Sequence, residues 1–427
     1  MRRPWAAAFL LVLAAGIGLR LAAALKTDTV GRLRDQGRPD YFEYGRGLRE
    51  FGVLGRGGKP SAFRGPVYPV FLGSVERFDL DLRPASPLIE AALGSLAIPL
   101  AGLAAWQLHS PWAGLAAAAL AAFHPALAWP LPACRVEPLY GLLVLLAAVS
   151  LAEWIRTPTA GRAAAAGFVL ATGLLCRSVL SPFPFILLAG LGARPDWALR
   201  WRKTAWILIA AAFAFLLPWI ARNAYQFGRF IPFEDHAADR NFIAAASGIV
   251  ENAPGPSPDG GPEIPFDELG KRRREALGGI IRDPGPYLRS CVLRLGCIVK
   301  RHSALSFLAG LAFLRLRGDP AALGLGLLAA CFLLMHVPLS LEARYLEPIL
   351  PTLMVLAGCG AAELGQAAGF KPEAAEARAG QAPGGASRLP LVGAGLVWGV
   401  SLAVAGALYL LVVWGLAGEV LRLSIVE

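Results

Sequence analysis

Charged side chains are scarce in this sequence. Asp, Glu, Lys and Arg make up 17% of its 427 residues, against about 25% in soluble domains, which excludes an ordinary water-soluble core. A disordered or fibrous chain is excluded as well, because 56% of the residues are hydrophobic. Cysteines are few and scattered, at 134, 176, 291, 297, 331 and 359. No Cys-x-x-Cys pair occurs, which argues against a zinc site or a disulfide framework. Cys291 and Cys297 could pair in an oxidising compartment, although apolar packing accounts for them better. The five histidines are dispersed, without His-Glu-x-x-His, and no Gly-x-x-x-x-Gly-Lys loop is present to cradle a nucleotide phosphate. An internal repeat, the mark of inverted-repeat transporters, is also missing.

What abounds is apolar runs near 20 residues, the length that crosses the hydrocarbon of a bilayer as a helix. They fall at 5–25, 88–108, 112–132, 138–154, 163–178, 181–193, 204–221, 303–316, 320–338, 346–362 and 389–416. The pattern predicts an all-α polytopic membrane protein with about eleven spans (10–12), of which 303–316 is the weakest. The first run follows Arg2 and Arg3 and outlasts the ~7–15 residue core of a signal peptide, so it reads as a retained anchor. The small residues Ala22–Ala24 keep a cleaved signal as the alternative.

The chain carries 41 Lys+Arg against 30 Asp+Glu, a net charge of +11. These charges do not cluster into a nucleic-acid patch; they lie mostly between the apolar runs. With the N-terminus inside, Arg156, Arg162, Arg194, Arg200, Arg202, Lys203, Arg315, Arg317, Lys371, Arg378 and Arg388 fall in inner loops. The short outer turns keep Arg135, Arg177 and Arg344, so the positive-inside bias supports this orientation. Two large outer loops, 26–87 and 222–302, are expected to carry short amphipathic helices. Residues 1–362 form the transmembrane module, 363–388 a flexible inner linker, and 389–427 a last span with a short tail.

The outer loops and outer span ends hold the chemistry. Asp40 precedes Tyr41, Tyr44, Leu48 and Phe51, an apolar stripe at helical spacing. Asp40 fits an N-cap, Glu43 the third position of a capping box, and Gly52 a helix stop. Such a helix would lie along the membrane with its stripe down, and a cap without chemistry explains Asp40 as well. Phe63-Arg64-Gly65-Pro66-Val67-Tyr68-Pro69 then returns the chain to the bilayer. Arg64 beside Tyr68 suits a phosphate headgroup, because guanidinium grips phosphate bidentately. Arg135 with Glu137, Arg177, Arg222 with Asn223, and Arg344 with Tyr345 stand at further outer ends. Snorkelling explains any one of these arginines. Their agreement under one topology instead points to a boundary site for a lipid phosphate. Glu234-Asp235-His236 reads as a solvated loop cluster rather than a metal site, Lys271–Arg274 as a solvated helix face, and 252–265 as a Pro/Gly-rich linker.

In order along the chain, several segments resemble bacterial GT-C glycosyltransferases, the relatives of protein O-mannosyltransferases, aminoarabinose transferases and Rgt-type enzymes. They are Asp40…Tyr44…Leu48…Gly52 with Ser61–Leu72, Glu137-Pro138-Leu139, Gly173-Leu174-Leu175-Cys176-Arg177, and Leu217-Pro218-Trp219-Ile220-Ala221-Arg222-Asn223 with Phe227-Gly228-Arg229-Phe230-Ile231-Pro232. Asp283-Pro284 with Tyr287 and Arg344-Tyr345 with Pro348 and Pro351 complete the series. Relatives often carry a Gly-x-Asn…Gly-Asn pattern after the Phe-Gly-x-Phe-x-Pro turn; here Asn241 stands alone.

The resemblance implies a GT-C fold and inverting transfer of one sugar from a polyprenyl-phosphate donor to an acceptor hydroxyl. The acceptor would be lipopolysaccharide, another lipid or protein, at the outer face of the bacterial cytoplasmic membrane. Asp40 becomes the general base, and Arg64, Arg177, Arg222 or Arg344 the stabiliser of the leaving phosphate. Glu43, Tyr68, Glu137, Asn223 and Tyr345 become further substrate contacts. No metal ligand set is evident, and a divalent cation is left open. The alternative is a transporter or flippase for a lipid-linked or small solute, which should hold its ionisable residues near the midplane. A non-catalytic scaffold in an envelope-assembly complex is the third reading.

Overall fold

The computed structural model describes residues 4–27, 40–76, 82–128, 135–193, 195–252, 266–369 and 389–426. In chain order its elements are α1 (Pro4–Leu25), α2 (Asp40–Phe51), β1 (Gly55–Arg56), β2 (Lys59–Pro60), α3 (Val67–Glu76), α4 (Leu82–Leu108), α5 (Pro111–Phe123), α6 (Pro125–Ala128), α7 (Glu137–Arg156) and α8 (Ala160–Cys176). Then come α9 (Phe183–Gly192), α10 (Pro195–Phe227), α11 (Asp239–Ala246), α12 (Phe266–Arg282), α13 (Pro284–Arg301), α14 (Ser303–Arg315), α15 (Pro320–Leu334), α16 (Leu350–Ala367) and α17 (Leu389–Val426). Short 3₁₀ segments lie at Ser178–Leu180 and Ala343–Ile349.

Local sequence explains where many helices begin. Ser110-Pro111, Asp283-Pro284 and Asp319-Pro320 each place an oxygen-bearing cap before a proline. The cap accepts from Ala113 N, from Gly285 N, and from Ala321 N and Ala322 N respectively. The proline lacks only a donor that the first turn would leave unused.

Six helices among the described residues are long and apolar enough to cross a bilayer: Trp5–Leu25, Ala85–Leu108, Glu137–Arg156, Trp201–Phe227, Ala343–Ala367 and Gly399–Glu419. The chain is a multi-pass membrane protein. The other expected spans differ. Runs 112–132, 163–178, 181–193 and 320–338 form shorter helices, Pro111–Phe123, Ala160–Cys176, Ser178–Gly192 and Pro320–Leu334. With 13 residues, α5 reaches only about 20 Å into a hydrocarbon layer of ~30 Å. It stops because His124 precedes Pro125 and takes an extended conformation, ψ 124°, as a residue before proline tends to. The run 303–316 is one arm of α13–α14, which meet at 89°. The eleven runs are therefore six long helices, four short ones and one arm of a bent pair.

Other boundaries shift too. The second large loop begins after Phe227 rather than at 222, so Arg222 and Asn223 belong to α10. The fold is not wholly α, since β1 and β2 pair antiparallel around Gly57 and Gly58. Both have positive φ, 56° and 78°, as a two-residue hairpin turn needs. The α2 stripe does not face lipid: Tyr41, Tyr44 and Leu48 are buried in the protein core, where α2 packs on α3. The stretch 253–265 and most of the 363–388 linker lie outside the described residues.

Buried over nearly its whole length, α7 is the central helix, with α4, α8, α15, α16 and α17 around it. Its N-terminus marks the end of the bundle where the loop elements gather. At the opposite end, Trp201 Nε1 donates to the Ile155 carbonyl at 2.8 Å, and His109 Nε2 meets Glu363 at 2.8 Å. Arg20 of α1 is 1% exposed and donates to the carbonyls of Ala121 (2.5 Å) and Ala122 (2.8 Å). A cation thus caps the C-terminus of α5, where the helix dipole favours positive charge.

Candidate active site

The end of α10 organises the loop face. Trp219 and Asn223 lie one turn apart, and Trp219 Nε1 donates to the Phe233 carbonyl at 2.9 Å, Asn223 Nδ2 to that of Ile231 at 2.9 Å. Together they fold residues 231–233 back over the helix end. Between them Arg222 turns elsewhere: it bonds Glu419 of α17 at 2.7 and 3.2 Å, and the carbonyls of Ser61 (3.0 Å) and Leu54 (3.1 Å). Arg222 therefore clasps both ends of the hairpin segment that leads to Arg64. The Asp235 amide adds a second tie between the loops by donating to the Ala62 carbonyl at 2.8 Å.

Residue 65 has to be glycine. A Cβ there would collide with the Leu175 carbonyl near the end of α8. This contact brings Arg64 to the loop that carries Arg177. The Arg64 guanidinium lies 5.0 Å from the Tyr41 ring centroid and 4.6 Å from that of Phe63. Below it, Tyr68 packs edge-on to Tyr41 at 5.2 Å. Arg177 leaves the α8 helix as its C-cap and sits 5.4 Å from the Tyr345 ring, with Nη1 3.7 Å from Glu137. Glu137 is the first residue of α7 and is 4% exposed. Ser178 donates its hydroxyl to Glu234 at 3.0 Å, so a second carboxylate borders Arg177.

Opposite Arg177, the Tyr345 hydroxyl donates to Glu342 at 2.7 Å and accepts from Asn241 Nδ2 at 3.2 Å. Arg344 bonds Glu342 at 2.6 Å and lies 5.5 Å from the same ring. Asn241 also accepts the Ser340 amide at its carbonyl, 3.0 Å, which fixes the 340–345 segment to α11. Electrostatics follow the packing. Burial pushes the Tyr41 phenol above its usual pKa, against the pull of Arg64 and Arg177, so it stays protonated. Burial alone would lower Arg177, but Tyr41, Glu137, Glu234 and Tyr345 outweigh it and hold the guanidinium above its ordinary value. Behind Glu137 a cavity of about 50 Å³ is lined by Arg20, Glu90, Arg135 and Glu347, room for a few waters at ~10–15 Å³ each. Among the described residues, no three of His, Cys, Asp and Glu gather within reach of one metal ion.

No known family model and no curated protein matches the sequence. Solved structures do match in fold. The apo oligosaccharyltransferase of Archaeoglobus fulgidus aligns over 97% of this chain and 56% of its own, at TM-score 0.52 and 17% identity. ArnT from Cupriavidus metallidurans aligns over 96% of this chain and 76% of its own. Its apo state gives TM-score 0.53 at 13% identity, and its complex with undecaprenyl phosphate 0.50 at 15%. The archaeal enzyme AglB in complex with an inhibitory peptide and a dolichol-phosphate gives 0.52, at 15% identity over 96% of this chain and 55% of its own. The chain has the GT-C fold. It spans just over half the length of the oligosaccharyltransferase it resembles.

Within this GT-C fold, the residues expected at the site separate into groups. Arg64, Glu137 and Arg177 come together around Tyr41 and Glu234, and Arg344 and Tyr345 join them through Glu137 and Arg177. Tyr68 is 2% exposed and supports Tyr41 from the core instead of standing at the interface. Arg222 and Asn223 make their contacts inside the fold, as a clasp and a turn lock. Asp40 opens α2, next to Tyr41, and its side chain lies outside the described residues; Glu43 is half-buried one turn further on. Sequence reasoning missed Glu234, Tyr41 and Asn241. The Glu234-Asp235-His236 group is no solvated cluster: Glu234 holds Ser178, and His236 Nδ1 meets Asp239 at 2.5 Å while half-buried. In the Lys271–Arg274 run, Arg272 is a solvated partner of Glu268, but Arg273 reaches Asp239 at 3.2 Å.

Proposed function

We propose that this chain is an inverting glycosyltransferase that moves one sugar from a polyprenyl-phosphate donor to an acceptor hydroxyl at the loop end of the bundle. The observation that carries the reading is the meeting of Arg64, Arg177 and Arg344 around Tyr41 and Tyr345, at the mouth of a GT-C fold. Solved proteins of that fold hold undecaprenyl phosphate or dolichol-phosphate. In this scheme Asp40 takes the proton of the acceptor hydroxyl as its oxygen bonds the anomeric carbon. The bond from that carbon to the phosphate oxygen breaks on the opposite face, which inverts the centre. The electron pair leaves with the polyprenyl phosphate, and the arginines stabilise its growing charge. Glu137 and Glu234 keep Arg177 charged and aimed, Tyr345 spaces the two cations beside it, and the apolar spans accept the prenyl chain.

A transporter would keep its ionisable groups near the midplane, whereas these gather at one end. The loop end is assigned to the outer face of the bacterial cytoplasmic membrane, in keeping with the arginine-rich inner loops. The test is mass spectrometry of membrane glycolipids and glycoproteins from cells with the intact chain and cells without it. One class of molecule should lose a single hexose, pentose or uronic acid, and the lost mass names the sugar. The same loss with the polyprenyl-linked sugar trapped on the inner leaflet, instead of accumulating on the outer one, would support the flippase.

A further inference from the structure

Helix α13 is built inside out. Its buried face carries Ser290, 4% exposed, and Arg294, 0% exposed, with Ile298 (3%) as its one buried apolar residue. Its open face carries Leu288, Val292, Leu295 and Val299, which are 58%, 70%, 41% and 51% exposed. Their 4-3-4 spacing places these four on one helical stripe. A helix docked in water would bury that stripe and expose the arginine. The polar side is nonetheless tied to the protein through both terminal nitrogens of Arg294. Arg294 donates to the carbonyls of Val337 (2.8 Å) and Ala245 (2.9 Å), so the protein body fixes the direction in which the stripe points.

The course of the helix follows from its partners. Tyr287 near its start donates to the Pro338 carbonyl at 2.9 Å, Arg294 in its middle holds Val337 and Ala245, and Arg301 at its end pairs with Glu251 at 2.6 Å. All of these belong to the loop end of the bundle. The helix therefore runs across that end, and only after the 89° turn at His302 does α14 descend among the spans. Exposed Arg289 and Lys300 flank the stripe on one side.

We propose that α13 lies flat in the headgroup–acyl boundary of the adjoining leaflet. The four aliphatic side chains enter the acyl region, and Arg289 and Lys300 pair with lipid phosphates. Two features of the helix choose a lipid surface over a protein partner: the stripe is continuous through one residue with a helix of the membrane body, and the cations at its edge complement an anionic leaflet. The inference does not depend on the sugar-transfer reading.

The native full-length chain is placed in nanodiscs whose phospholipid carries a photoreactive diazirine high in the acyl chain. After illumination, mass spectrometry maps the adducts. Adducts are expected within Leu288–Val299, rising several-fold when phosphatidylglycerol replaces phosphatidylcholine. The variant V292E/L295E should lose most of them while adducts on α17 persist, which separates loss of docking from loss of fold. Adducts on the spans but none on α13 would overturn the proposal. So would a bismaleimide-linked dimer through Cys291, which would show a second copy covering the stripe.

Discussion

Arg222 and Glu419 form an ion pair at 2.7 Å with side chains 1% and 0% exposed, joining the end of α10 to the last helix of the chain. The same guanidinium holds the Leu54 and Ser61 carbonyls. A buried pair is weak evidence for net stability, but removing one partner strands the other charge at about 3–5 kcal/mol. Glu419→Ala should therefore unfold well below the native chain in detergent, whereas R222M/E419L should recover part of the loss. Equal melting points for the native chain and Glu419→Ala would contradict this account.

Gly65 offers a sharper test of geometry. A methyl group at this position meets the Leu175 carbonyl, so Gly65→Ala must move the segment that carries Arg64 away from Arg177. Misplacement by about 1 Å can cost ~10²-fold in rate. Gly65→Ala is expected to lower kcat by that order with a much smaller change in thermal stability. A loss confined to stability would make Gly65 a packing residue alone.

These two positions also show what the sequence could reveal. Arg64, Arg177 and Arg344 were legible because an arginine at the end of an apolar run is costly anywhere, and all of them share one topological side. The role of Arg222 was not legible, since it depends on Glu419, 197 residues away. Glu234 was hidden for a related reason. Its loop looks solvated in one dimension and is pulled inward by Trp219, Asn223 and the Asp235 amide, whose bonds end on backbone carbonyls that carry no sequence signal. The α2 stripe was visible as helical spacing, but spacing does not say whether lipid or α3 covers it. Short spans escaped for want of chain geometry: an apolar run continues through His124-Pro125 while the helix does not.

Asp40 and Arg177 separate the two halves of the proposed reaction. Asp40→Asn removes the base and should lower transfer by ~10²–10⁴-fold, with normal expression and membrane insertion. Arg177→Met removes a cation from the leaving phosphate and should cost ~10²–10³-fold. A donor with a better leaving group should restore activity to Arg177→Met but not to Asp40→Asn. Full transfer by Asp40→Asn would end the assignment of the base.

His336 ties stability to pH. It is 5% exposed in the turn after α15, its Nδ1 donates to the Phe332 carbonyl at 2.8 Å, and its ring stacks on Tyr345 at 6.1 Å. Burial pushes its pKa down to about 4, with the Arg177 charge acting the same way and the Phe332 carbonyl opposing. In the unfolded chain the imidazole titrates near ~6.5, so between there and the folded value the unfolded state binds the extra proton. Stability from this residue is complete above the unfolded pKa and is lost as pH falls toward 4, by up to about 3 kcal/mol. Carboxylates add their own acid dependence, which a paired variant subtracts. His336→Phe fills the same space without a titrating group, and its melting temperature should fall less than that of the native chain between pH 6.5 and 4. Parallel curves for the two proteins would mean that the imidazole is protonated without penalty, and that its stacking on Tyr345 does not depend on its charge.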